Sequence, residues 1–140
     1  MILKLNIRNN YILFHIIVWL PTVAYCGLIF YLSSKIIQIT IDQFPMADKA
    51  IHLIEYGVLS VLFFFSLRKS IPGFNIKSAA VLAIVFSGSY GISDEVHQYF
   101  VPGRESSMGD VMANFIGAAV FQSRHILKFK PGFWKNLLPH

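Results

Sequence analysis

A chain of 140 residues has room for one domain, and with 55% apolar and only 14% charged residues it carries too little charge for an ordinary soluble surface, where about 25% is usual. The mean hydropathy of +0.57 points the same way, to a membrane protein. The net charge of +5 does not imply nucleic acid, because the basic residues sit at the ends of apolar runs instead of among exposed aromatics along one face.

The first apolar run, "YILFHIIVWLPTVAYCGLIFYLSS", covers residues 11–34. It exceeds the ~20 residues that cross a bilayer as a helix. Lys4 and Arg8 precede it, but it is far longer than the ~7–15 residues of a signal-peptide core and no small-x-small cleavage site follows. It reads as a retained helix, bent at Pro21 where a neighbouring helix must re-satisfy the freed carbonyl. The single cysteine, Cys26, lies in this run. It excludes an internal disulfide or a cysteine metal cage and suits a small packing residue.

The second run, residues 49–67, begins polar and ends as nearly pure hydrocarbon before Arg68, Lys69, Pro72 and Gly73 break it. The third, residues 77–98, runs the other way, apolar first and polar last. The fourth, residues 108–124, is the least apolar. Its Ala113, Gly117 and Ala118 suit a helix pressed against other helices. A basic, aromatic tail over 125–140 suits the membrane surface. The expected architecture is all-α: a single domain over 1–140, an integral membrane bundle of four transmembrane helices.

Four crossings put both termini on one side. The N-terminus, the 68–77 loop and the tail carry nine basic residues, against Lys35, Lys49 and Arg104 on the other side. The positive-inside rule therefore predicts cytoplasmic N- and C-termini. With that topology all seven acids, Asp42, Asp48, Glu55, Asp94, Glu95, Glu105 and Asp110, fall at the outer end. A randomly solvated surface would not sort its acids this way.

Helical spacing places Asp48, His52, Glu55 and Tyr56 on one face of the second helix. Asp94, His97 and Gln98 share a face of the third, with Glu95 on its flank. Asp110, Asn114 and Gly117 line up on the fourth. Three polar stripes at one end predict a single site, over which the "VPGR" turn can fold Arg104. An Asp or Arg at the centre of a spanning helix costs roughly 2.5–3.5 kcal/mol, so these groups should face the bundle and find partners. Arg104 is the expected cation for Asp94, Glu95 or Asp110. His52 has a structural reading as a donor to Asp94 or an acceptor from Tyr56, and Asn114 one as helix glue. Lys49 has one as a solvated charge. The whole constellation still exceeds what helix glue requires.

Two blocks here resemble the VanZ-like membrane proteins. "DKAIHLIEYGVL" matches the family's pattern through Asp48, Lys49, His52 and Tyr56. "SDEVHQYFVPGRESSMGDVMANFIG" matches it through Asp94, Glu95, Gln98, Pro102, Arg104, Asp110, Asn114 and Gly117. The resemblance implies a bacterial cytoplasmic-membrane protein, multi-pass, related to one that gives low-level resistance to the glycopeptide teicoplanin. One departure is Phe121, where the family often has a second Gly. It predicts looser packing of the inner half of the fourth helix.

Three functions of different kinds suit these residues. The first is a binding protein whose outer cluster takes a cell-envelope lipid, such as a lipid-linked cell-wall precursor, or the glycopeptide itself. The second is an intramembrane hydrolase or transferase acting on such a precursor, with Glu95 or Asp94 beside His52 as general base or holding a metal. The third is a purely structural network. No HExxH motif and no nucleophile in a recognisable setting is present, so binding is the first reading, with no cofactor, no resident metal and no nucleic-acid partner expected.

Overall fold

The computed structural model describes residues 2–35, 47–104 and 106–127, with side chains from Asn10 onward. Asp42, Glu105 and the tail beyond Leu127 lie outside the described residues. Four helices follow one another, α1 (Ile2–Ser33), α2 (Ala47–Ser70), α3 (Ile76–Tyr99) and α4 (Met108–Ile126), with no strand among the described residues. Three of them are long and apolar enough to cross a membrane: α1 from Asn10, α2 and α3. The fourth spans 19 residues, about 28 Å at 1.5 Å per residue.

Local chemistry fixes the helix ends. Asn75 caps α3: its Oδ1 accepts from the backbone N–H of Lys77 at 2.9 Å and of Ser78 at 3.1 Å. Asn75→Ala is expected to lower stability by about 1 kcal/mol, read as a lower unfolding midpoint in detergent. The turn before this cap needs Gly73, whose φ is +79°. Arg68 closes the turn by donating to the Phe74 carbonyl. In the 100–107 turn, Gly103 takes φ +83°.

The packing is inside out relative to a soluble bundle. The buried face of α4 consists of Asp110, Ala113, Asn114, Gly117, Ala118 and Gln122. Met108, Met112, Ile116 and Val120, spaced every four residues, stand exposed on the opposite face. Lipid tails are as apolar as leucine, so small and polar residues, not large apolar ones, hold membrane helices together. α4 packs most extensively on α2 and next on α3, while α1 lies against α2 and scarcely touches α3.

Glycines set how closely the helices approach. A side chain at Gly117 would strike the Leu53 backbone carbonyl of α2, and one at Gly88 would strike the Phe115 ring. Phe121 fills the hollow at Gly57, where an added Cβ would lie 2.6 Å from its ring. This corrects the expectation of looser packing at Phe121. The bulk missing from α2 at Gly57 accommodates the bulk added on α4.

Hydroxyls secure the remaining contacts. Ser66 Oγ donates to the Val18 carbonyl at 2.9 Å, so it accepts from Thr22 Oγ1, also at 2.9 Å. This bond is made one turn before Pro21, around which α1 continues as helix to Ser33. Trp19 Nε1 donates to Ser70 Oγ at 2.7 Å, and the Tyr90 hydroxyl donates to the Cys26 carbonyl at 2.8 Å. Between α2 and α4, Gln122 Nε2 donates to the Ser60 carbonyl at 3.0 Å.

Candidate functional site

The start of α2, the end of α3 and the start of α4 meet at one end of the bundle. There the structure gathers most of the residues that helical spacing had grouped. Asp94, Glu95, Gln98, Asp110, Asn114, His52 and Tyr56 are all buried. Asp48, Lys49, Glu55 and Arg104 are half-buried.

Asp110 sits in the first turn of α4, behind the Ser107 cap whose Oγ accepts from Gly109 N at 3.0 Å. Its cation is Lys49, at 2.9 Å from Oδ1. Lys49 is therefore not a solvated loop charge. It lies in the first turn of α2, and its Nζ reaches Asp110 across Gly109, where an added Cβ would come within 3.0 Å of it. Arg104 was the expected partner of the acids. Among the described residues it forms no ion pair with Asp94, Glu95 or Asp110: Asp110 is held by Lys49 from the neighbouring helix, Asp94 by Gln98 and Glu95 by the Ser107 N–H. The turn does fold Arg104 back to within electrostatic reach of Glu55. Its Nε is buried without a hydrogen-bond partner.

His52 bonds to Asn114, with Nδ1 at 3.1 Å from Oδ1, and not to Asp94 or Tyr56. A carbonyl oxygen only accepts, so Nδ1 is the donor of this bond and Nε2 is turned away from Asn114. Asp48 Oδ1 lies 4.0 Å from that Nε2, one helical turn back on α2. The ring stacks on Tyr56, with centroids 6.1 Å apart and planes at 7°. Asn114 reaches this position because Gly91 offers no side chain. A Cβ there would lie 2.6 Å from Asn114 Nδ2.

On α3, Asp94 accepts from Gln98 Nε2 at 2.8 Å. The Tyr56 hydroxyl lies beside the Asp94 carboxylate, but not in the alignment of a well-formed hydrogen bond. Glu95 accepts from the Ser107 backbone N–H at 3.0 Å. It thereby satisfies a donor at the start of α4 and ties α3 to it across the turn. His97, expected on the polar face, turns to α1 instead. Its Nε2 lies 2.9 Å from Ser34 Oγ, and its ring packs on Phe30 at 4.4 Å.

Among the described residues, four buried polar atoms here have no hydrogen-bond partner: Tyr56 Oη, Glu95 Oε1, Arg104 Nε and Asn114 Nδ2. Glu95 also borders a groove of about 360 Å³ between α3 and α4, walled mainly by Ile92, Val96, Tyr99, Phe100 and Met108. The site thus offers unmet donors and acceptors next to an apolar slot. Ser107, Gly91 and Gly109, which position these groups, did not stand out in the sequence. Small residues reveal a role only once the neighbour they admit is known.

The VanZ/LLP1 family model matches residues 4–122, which include every residue of this cluster. No curated protein and no solved structure matches the chain.

Proposed function

This chain belongs to the VanZ/LLP1 family and is a membrane protein; we propose that it binds the polar headgroup of a cell-envelope lipid at the acid-rich end of its bundle. That end faces outward from a bacterial cytoplasmic membrane in this reading, consistent with the nine-to-three distribution of basic residues. A lipid-linked cell-wall precursor or a lipid-tailed glycopeptide such as teicoplanin suits the same chemistry, and competition between them would contribute to resistance. The carrying observation is the set of unpartnered buried atoms, Tyr56 Oη, Glu95 Oε1, Arg104 Nε and Asn114 Nδ2, beside an apolar groove. Buried polar atoms are nearly always satisfied in a protein at rest. An incoming headgroup would satisfy them while its chain lies along Val96, Phe100 and Met108.

Arg104→Ala tests this. The guanidinium donates to no acid among the described residues, so its loss should leave the unfolding midpoint close to wild type. Affinity for a polyprenyl-linked precursor or for teicoplanin, measured by native mass spectrometry, should fall roughly tenfold or more, as expected for a lost charge-assisted hydrogen bond. Vancomycin, used as the comparison without a lipid tail, should bind weakly to both proteins. Unchanged affinity in Arg104→Ala would sink the reading.

A second reading is an intramembrane hydrolase or transferase acting on the precursor. It draws support from His52, a buried imidazole whose Nε2 lies 4.0 Å from the Asp48 carboxylate, the pairing a general base requires. Conversion of the bound precursor by the purified wild-type chain would favour it over binding alone.

A further inference from the structure

We infer that Asp48, His52 and Asp110 form a site for one divalent transition-metal ion, of the Zn²⁺ or Mn²⁺ class, at the junction of α2 and α4. The inference deepens the headgroup reading, since such an ion would let an acid-rich pocket accept a phosphate. Its purpose rests on that reading, but its test is run without lipid, so either can fail alone.

The ligand atoms already converge. One atom from each of the three residues lies within 4.8 Å of the other two. Bonds of about 2.0–2.2 Å require ligand atoms roughly 3–4 Å apart. Half-exposed Asp48 can close the difference by a change of rotamer. Two carboxylates and one imidazole suit a borderline transition ion better than Mg²⁺ or Ca²⁺, which prefer oxygen alone. Three protein ligands leave positions open for water or a phosphate oxygen.

The surroundings of His52 support the same assignment. A metal-binding histidine donates its other ring N–H to a carbonyl or carboxylate, which fixes tautomer and orientation. Asn114 Oδ1 does this for His52 Nδ1 at 3.1 Å. Nε2 lies 4.0 Å from Asp48 Oδ1, beyond hydrogen-bonding distance, and makes no hydrogen bond among the described residues. His52 is itself only 5% exposed.

Charge supplies an independent reason. The cluster holds five carboxylates, Asp48, Glu55, Asp94, Glu95 and Asp110, against two permanent cations, Lys49 and Arg104. Ionised carboxylates at a membrane boundary are costly unless cations offset them. A divalent ion would offset the negative charge of Asp48 and Asp110, which share only Lys49 between them. Lys49 now holds Asp110, so its ammonium is the ion's internal competitor. This makes a prediction: weakening Lys49 should tighten the metal, whereas Asp48→Asn, by removing a ligand, should weaken it.

The full chain, purified in detergent, stripped with EDTA and desalted, is titrated separately with Zn²⁺ and Mn²⁺ at neutral pH. Bound ion per chain is read by mass spectrometry of the metal, and the unfolding midpoint is followed alongside. One equivalent of either ion is expected in wild type, with a raised midpoint. Asp48→Asn, which removes one ligand at a half-exposed position, should bind at least ~10-fold more weakly. Lys49→Gln should bind several-fold more tightly. No retained ion in wild type would overturn the site. So would unchanged affinity in Asp48→Asn, which places the ion elsewhere, or weaker binding in Lys49→Gln.

Discussion

Gly117→Ala is expected to prevent the bundle from assembling, with a loss of at least about 3 kcal/mol. Overpacking a core usually costs 1–3 kcal/mol because side chains and backbone shift to absorb it. At Gly117 the obstacle is the Leu53 backbone carbonyl. A backbone atom inside a helix cannot rotate away, so α2 and α4 would have to separate as rigid bodies. That would part Lys49 from Asp110 and His52 from Asn114 together. The measurement is the yield of monodisperse protein in detergent and its unfolding midpoint. Gly27→Ala is the control, because nothing lies within 4 Å of its added methyl group. Alanine also favours a helix over glycine by roughly 0.5–1 kcal/mol, so Gly27→Ala should be neutral or slightly stabilising. Equal behaviour of the two variants would refute the close α2–α4 contact.

Asn114→Leu is expected to be the second most damaging change, by about 1–3 kcal/mol. It strips the His52 Nδ1–H of its acceptor and leaves a buried donor unsatisfied. The decisive measurement adds His52→Phe. Replacing both partners of a buried hydrogen bond with apolar groups of similar shape can be nearly neutral. The double variant should therefore recover much of the lost stability, and the coupling between the two changes is read from a double-mutant cycle. Function should part company with stability. The double variant should fold, yet retain neither metal nor headgroup, because it lacks the imidazole. A double variant that folds and still binds both would reduce the His52–Asn114 pair to scaffold.

The apolar runs disclosed the helices, and the polar spacing disclosed which end would matter. Both follow from period and hydropathy, which are local. The α2 run over 49–67 became Ala47–Ser70, and the 77–98 run became Ile76–Tyr99. The largest discrepancy is at α1, which begins at Ile2 and not at residue 11. An apolar run marks where lipid is, whereas a helix can continue beyond it. Partner choice was not legible. Arg104 was the expected cation for Asp110 and Lys49 a solvated charge, and only the tilt and rotation of α2 against α4 bring Lys49 to it instead. His97 shares a spacing class with Asp94, but it lies far enough round α3 to face α1. The hydroxyls of Thr22, Ser60 and Ser66 carry no periodic signature. Phe121 is the clearest case, since its effect could be judged only with Gly57 opposite.

The backbone contact between Gly117 and Leu53 also bears on how a ligand would arrive. With α2 and α4 locked together, and α3 tied to α4 through Glu95 and Ser107, the three-helix core has little freedom to spread. The groove walled by Val96, Phe100 and Met108 opens sideways, where α3 and α4 present their apolar faces. Uptake through it would be a lateral step within one leaflet. Its rate should then follow the surface density of the lipid in that leaflet, and dilution of the surrounding water should leave it unchanged.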